Sequence, residues 1–156
     1  MKRRELRLAT LSECVDEVQR LHERGYDRAG QWDLAKVCNH LDKACRMTVD
    51  GTSFSLPFFV PYLMRFLFLK KVLRGDPMSV KAKAPPTMEP VETIGEPEAI
   101  ERFRDAVRLL EDPDTKYVDF HPVFGRLDRE QWKKVQTWHC AHHLSFLLPR
   151  QQQPAG

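Results

Sequence analysis

Three of the chain's six histidines, His139, His142 and His143, fall within five consecutive positions of one stretch, Trp132 to Phe146. At about 100° per residue, Trp132, Val135, His139 and Phe146 line up as an apolar stripe, with His142 and His143 on either side of His139. Imidazoles directed at a core need partners for their ring nitrogens, and a metal ion serves several at once. His139 and His143, at i and i+4, present their nitrogens from one helix face. His142, at i+3, turns towards Trp138 and Ser145. His40, at the edge of an earlier helix's core stripe beside Ala44, can add a third nitrogen across a bundle. Three imidazoles and a water leave an open coordination position, the pattern of catalytic sites. Spacing alone leaves a second reading open: helix-surface polarity, with His139 satisfied by a backbone carbonyl or a buried water.

The elements that must position these residues are legible in order. Thr10 with Glu13 is a capping box, and Leu11, Val15, Val18 and Leu21 predict a helix over Leu11–Arg24, closed by Gly25. Asp33 is the expected N-cap of a second helix, with Leu34, Val37, Leu41, Ala44 and Cys45 inward and Asp50-Gly51 at its end. Residues 54–73 are the most apolar part of the chain. Pro57, Pro61 and Arg65 interrupt them, so a membrane span is not expected. A buried helix from Pro57 or Pro61 to Lys70-Lys71 is, with some aromatics free to form a dimer face or pocket wall. Gly75 to Pro97 holds five prolines and predicts a long connection. Pro97 marks the first turn of a further helix, with Ile100, Phe103, Val107 and Leu110 inward. Tyr117 to Phe120 suggests a short extended piece and His121 to Gly125 a loop. Asp128 with Gln131 caps a last helix running to about Leu148, and Gln151–Gly156 is expected to be a loose tail.

The length suits one domain, residues 1–156, and 42% hydrophobic with 30% charged residues is ordinary for a globular chain. A net charge of +3 with no basic block beyond Lys2-Arg3-Arg4 argues against a nucleic-acid partner. No apolar h-region follows Met1, so a cytoplasmic location with reduced thiols is expected. Cys14, Cys38, Cys45 and Cys140 form no Cys-x-x-Cys pair and are expected as small buried hydrophobes. No repeat or Gly-rich phosphate loop occurs.

The segment from Trp32 to Leu41, a tryptophan followed eight residues later by His40-Leu41, resembles the second-helix motif of the DinB-like superfamily. His139-Cys140-Ala141-His142-His143-Leu144 is similar to its last-helix His-x-x-His-His signature. The loop His121-Pro122-Val123-Phe124-Gly125-Arg126-Leu127, followed by Trp132, resembles a subfamily known only as a domain of unknown function. The resemblance implies an all-α, four-helix bundle holding a divalent metal through His40, His139 and His143. It also implies a link to transferases that use a low-molecular-weight thiol. Relatives often carry a polar pair where this chain has Ser145-Phe146.

Three functions follow as expectations. One is a metal-assisted thiol S-transferase, with Zn or Ni favoured, a low-molecular-weight thiol and a small-molecule co-substrate beside the aromatic stretch. The second is a non-enzymatic domain, metal-stabilised or dimerising through the apolar helix into a homodimer. The third, metal-dependent hydrolysis, ranks lowest because no carboxylate base can be named. His121, His142 and Trp132 are the candidates for supporting or substrate contacts. Packing of the turn is the favoured role for His121, and core or pocket wall the favoured role for Trp32, Trp132 and Trp138. His22 is expected to be solvated.

Overall fold

The computed structural model describes residues 2–78, 85–90 and 93–150. Helix α1, Leu11–Arg24, starts where the Thr10 hydroxyl accepts from the Glu13 backbone N–H, while the Glu13 carboxylate accepts from Ala9 N–H at 2.8 Å. Helix α2, Leu34–Asp50, is capped by Asp33, whose carboxylate accepts from Lys36 N–H at 2.9 Å. It stops at Gly51, whose φ of 75° lies in the left-handed region that glycine enters without strain. Helix α3 covers residues 60–73 as Val60–Met64, a π-turn at Arg65–Leu69, and Lys70–Leu73. Helices α4, Glu96–Glu111, and α5, Arg129–Leu144, complete the set. The reciprocal capping box of Asp128 and Gln131 opens α5.

The described chain is mostly helical, compatible with an all-α fold, with two small antiparallel ribbons. Strand β1, Tyr26–Arg28, pairs with β4, Leu147–Pro149; β2, Phe120–His121, pairs with β3, Gly125–Arg126. Helix α2 lies along α4, α1 packs on α4 and α5, and the C-terminal end of α3 packs on α5. The main core joins α1, α2, α4 and α5 through Leu11, Leu21, Leu34, Leu41, Phe103, Leu110 and Leu144. A second cluster surrounds Trp132 with Leu69, Val72, Phe124, Leu127 and Val135. Each large apolar side chain fully buried in these clusters contributes about 1.5–3 kcal/mol. All four cysteines are free and buried. The neighbouring Cys14 and Cys45 thiols, with burial, push the Cys140 thiol well up.

Four expectations need correction. Helix α5 ends at Leu144, not near Leu148, because the next residues find tertiary backbone partners. Arg4 N–H bonds Ser145 O, Ala29 N–H bonds Phe146 O, and Leu147–Pro149 joins β1. Phe146 therefore leaves the helical stripe and packs against Gly30. The apolar helix α3 is not buried: Pro61, Leu69 and Val72 face inward, whereas Phe58 is 84% and Phe66 83% exposed. It carries more apolar residues than one packed face accommodates. The short extended piece is Phe120–His121, starting three residues later than the expected Tyr117–Phe120 and ending one later, because its partner Gly125–Arg126 sets the register. His22 is not simply solvated; its Nδ1 lies 2.7 Å from Glu96 Oε1 on α4.

Of the proline-rich connection, residues 79–84 and 91–92 lie outside the described residues, as does the expected tail 151–156. The part at Pro86–Met88 forms a short 3-10 turn against α2, where Lys43 Nζ donates to Glu89 O at 2.5 Å. Among the described residues no helix is long and apolar enough to cross a membrane.

Candidate metal centre

Helix α2 contributes His40, and α5 contributes His139 and His143 one turn apart. Packing of α2 on α5 points all three rings at one spot. His40 Nε2 lies 3.3 Å from His139 Nε2, and His143 Nε2 lies 3.0 Å from the same atom. One ligand nitrogen from each residue falls within 4.8 Å of the others. Four ligands placed tetrahedrally about 2.0–2.1 Å from an ion sit about 3.3 Å apart, so this spacing fits a single ion.

Proton accounting points the same way. His40 Nδ1 lies 2.7 Å from the Met88 carbonyl, which can only accept, so Nδ1 carries the hydrogen and Nε2 keeps its lone pair. His139 Nε2 then faces two ring nitrogens at hydrogen-bond distance and has at most one hydrogen to offer them. A cation satisfies all three lone pairs together. The Met88 contact is also the kind of second partner that sets a ligating imidazole's tautomer and direction.

Electrostatics keeps the rings neutral, the form a metal requires. Burial lowers the pKa of His40 below the usual histidine range, with Lys43 adding to the shift and the Met88 bond opposing it. Burial pushes His139 and His143 well down, and the neighbouring imidazoles push further. Trp32 forms one wall, stacked on His143 with centroids 5.4 Å apart and tilted over His40 at 5.1 Å. His40 is buried, while His139 and His143 are half-buried, which leaves the cluster open on one side.

That side is a cleft of ≈ 830 Å³, walled by Trp32, Val37, Met64, Phe68, Trp138 and Phe146, with the three histidines among its lining. Its size and mainly apolar wall are those of a small-molecule site. His121 lines the same cleft. Its Nδ1 accepts from the Val123 and Phe124 backbone N–H groups at 3.0 and 3.2 Å, so its hydrogen sits on Nε2. Burial pushes its pKa down to about 3. His142 reaches the cleft too, but Arg3 donates to its Nδ1 at 3.0 Å, which occupies that lone pair away from the other three rings. Burial, then the Arg3 charge, lowers His142 to about 4. Trp132 is fully buried, donates from Nε1 to Val118 O at 2.9 Å, and backs the His121 ring at 4.7 Å. Sequence reasoning missed Met88 and Arg3. The first acts through a backbone carbonyl, which residue type does not reveal, and the second lies 139 positions from its partner.

Fold and site together define a mostly helical protein in which three neighbouring histidines could hold a metal ion beside a mainly apolar cleft. The chain belongs to the family described as "Protein of unknown function (DUF1569)", which it matches over residues 1–150. No curated protein and no solved structure matches it.

Proposed function

We propose that this chain is a metal-dependent thiol S-transferase built on a DinB-like four-helix bundle, with a divalent ion held by His40, His139 and His143. The observation that carries the reading is the convergence of three Nε2 atoms, short of hydrogens to satisfy one another, beside an apolar cleft. A divalent ion bound by these imidazoles supplies positive charge that lowers the pKa of a thiol. In the transfer itself a sulfur–carbon bond forms, the bond from that carbon to its leaving group breaks, and the thiol proton passes to solvent.

The remaining contributions come from the chain. Met88 O holds the His40 ring in place, and Trp32 holds that of His143. The wall of Val37, Met64 and Phe68 receives the apolar body of the co-substrate and excludes water from it. His121, held as the neutral Nε2–H tautomer, is the donor for an oxygen on the electrophile. Its Nε2 has no hydrogen-bond partner among the described residues. Hydrolysis has weaker support, since among the described residues the histidine cluster includes no carboxylate.

The test is elemental analysis of protein purified without an affinity tag, beside His40→Ala, His139→Ala and His143→Ala. Thiol-dependent consumption of monobromobimane or chlorodinitrobenzene is then measured on the same samples. Near-stoichiometric metal that disappears in all three variants, together with thiol-dependent turnover, supports the proposal. Metal without turnover with any thiol leaves a metal-stabilised domain that is no transferase. A protein that neither contains nor takes up Zn or Ni sinks the metal site.

A further inference from the structure

Helix α3 presents a face that nothing in the described chain covers. Phe59, Tyr62, Leu63, Phe66 and Leu67 repeat at i, i+3, i+4, i+7 and i+8, with Phe58 just before them, and all six are exposed. Of the large hydrophobic side chains exposed among the described residues, all but Phe120 lie between positions 56 and 67. Phe120 adjoins the same region: a Cβ at Gly125 would lie 3.8 Å from the Phe120 ring and 3.9 Å from Pro61. A concentration of this kind marks an interaction surface rather than scattered surface apolarity.

Charge decides between occupants. From Gly51 to Gly75 the chain has no aspartate or glutamate and four cations, Arg65, Lys70, Lys71 and Arg74. Arg65 is spent on the carbonyls of Phe124 and Arg126, and Arg74 pairs with Asp76 at 2.9 Å. Lys70 and Lys71 are exposed towards the C-terminal end of α3 and have no carboxylate partner among the described residues; Lys71 flanks the apolar face at the rim of the cleft, its Nζ 5.9 Å from the centre of the Phe68 ring. A second copy docked through α3 leaves these ammonium groups poorly served. Parallel helices bring them together, and antiparallel helices set them against the apolar start of the partner's face. A surface of anionic lipid headgroups over acyl chains meets both needs: cations at the headgroups, aromatic and aliphatic side chains below them.

We infer that α3 docks this protein on anionic membrane surfaces, lying in the interface with Phe58, Phe59, Tyr62, Leu63, Phe66 and Leu67 inserted and Lys70 and Lys71 on the headgroups. The inner side of the same helix, through Met64 and Phe68, is a wall of the cleft.

The experiment is co-sedimentation of the full chain with vesicles of phosphatidylcholine alone and of phosphatidylcholine with phosphatidylglycerol, with light scattering of the vesicle-free protein in parallel. Expected is binding to the anionic vesicles that weakens as salt rises, from a monomer. Phe66→Asp lowers the partition coefficient by at least about tenfold, since a buried phenyl group is replaced by a charge. Lys70→Gln with Lys71→Gln lowers it by roughly twenty-five-fold, at about fivefold for each cation at the surface. Phe66, Lys70 and Lys71 are all exposed, so unchanged circular dichroism is expected in both variants. Absence of binding to either vesicle overturns the inference, and so does equal binding to neutral and anionic vesicles. A vesicle-free dimer that Phe66→Asp dissociates also overturns it, and assigns the face to a second copy.

Discussion

The sharpest prediction concerns His143→Ala and the stability that a metal ion contributes. A ligand that binds only the folded state, supplied at a thousand times its dissociation constant, stabilises by about 4.1 kcal/mol. For a chain of this size each kcal/mol moves Tm by about 2–4 °C, so zinc at that excess raises the wild-type Tm by about 8–16 °C. His143 supplies one of three nitrogens, 3.0 Å from His139 Nε2. Suppose its loss weakens binding about a hundredfold, the upper end of what losing a mere hydrogen-bond partner of a ligand costs. The same zinc concentration then contributes about 1.4 kcal/mol, or about 3–6 °C. The quantity to compare is the metal-induced shift, not Tm itself. The half-buried His143 ring also packs on Trp32, so its truncation lowers the metal-free Tm independently. Scanning fluorimetry with zinc and with a chelator, on both proteins, reads it directly. A variant with the full wild-type shift would falsify the assignment. The pH dependence is a second check. Protons compete with the metal, and all three ligand pKa values lie below the ordinary histidine value. The shift therefore persists as pH falls through about 6.5, where ordinary histidines become protonated and lose metal.

Three further outcomes follow from the packing. Arg129 donates to Thr115 O, Leu110 O and Asp112 O at 2.7, 3.0 and 2.6 Å and lies over the Tyr117 ring. Arg129→Lys loses that fork and should cost about 1–3 kcal/mol, lowering Tm by about 2–12 °C; an unchanged Tm would refute the role. Asp128→Ala removes the cap of α5 and should cost about 1 kcal/mol, seen as an earlier urea midpoint with the same m-value. His121 has a folded pKa of about 3 against about 6.5 unfolded, so below pH 6.5 the unfolded chain binds the proton more readily. Its contribution is present in full above 6.5 and fades as pH falls towards 3. His121→Asn, which keeps a side-chain acceptor for the turn, should flatten the decline of Tm between pH 6.5 and 4. Parallel declines in the two proteins would contradict this.

What the sequence determined by itself was local. Thr10 with Glu13, Asp33, and Asp128 with Gln131 mark helix starts through bonds spanning three or four residues, and all three occur where their spacing placed them. His139 and His143 share a face because helix geometry sets that whatever surrounds it. Tertiary structure decided everything that rests on distant partners. Leu144 ends α5 because residues 147–149 meet residues 26–28, a pairing that no local pattern carries. The outward face of α3 was equally hidden: a run of Phe and Leu reads as buried until the packing shows room for only one side of it. His40 is the clearest case, since its position beside Ala44 placed it only at the edge of a stripe. The Met88 carbonyl, 48 residues away in a proline-rich stretch without periodicity, leaves its Nε2 lone pair free. Packing of α2 on α5 brings that atom to His139, 99 residues along the chain. Caps and helix faces are short-range and so are written in residue order, whereas the meeting of three imidazoles is a property of how the helices pack.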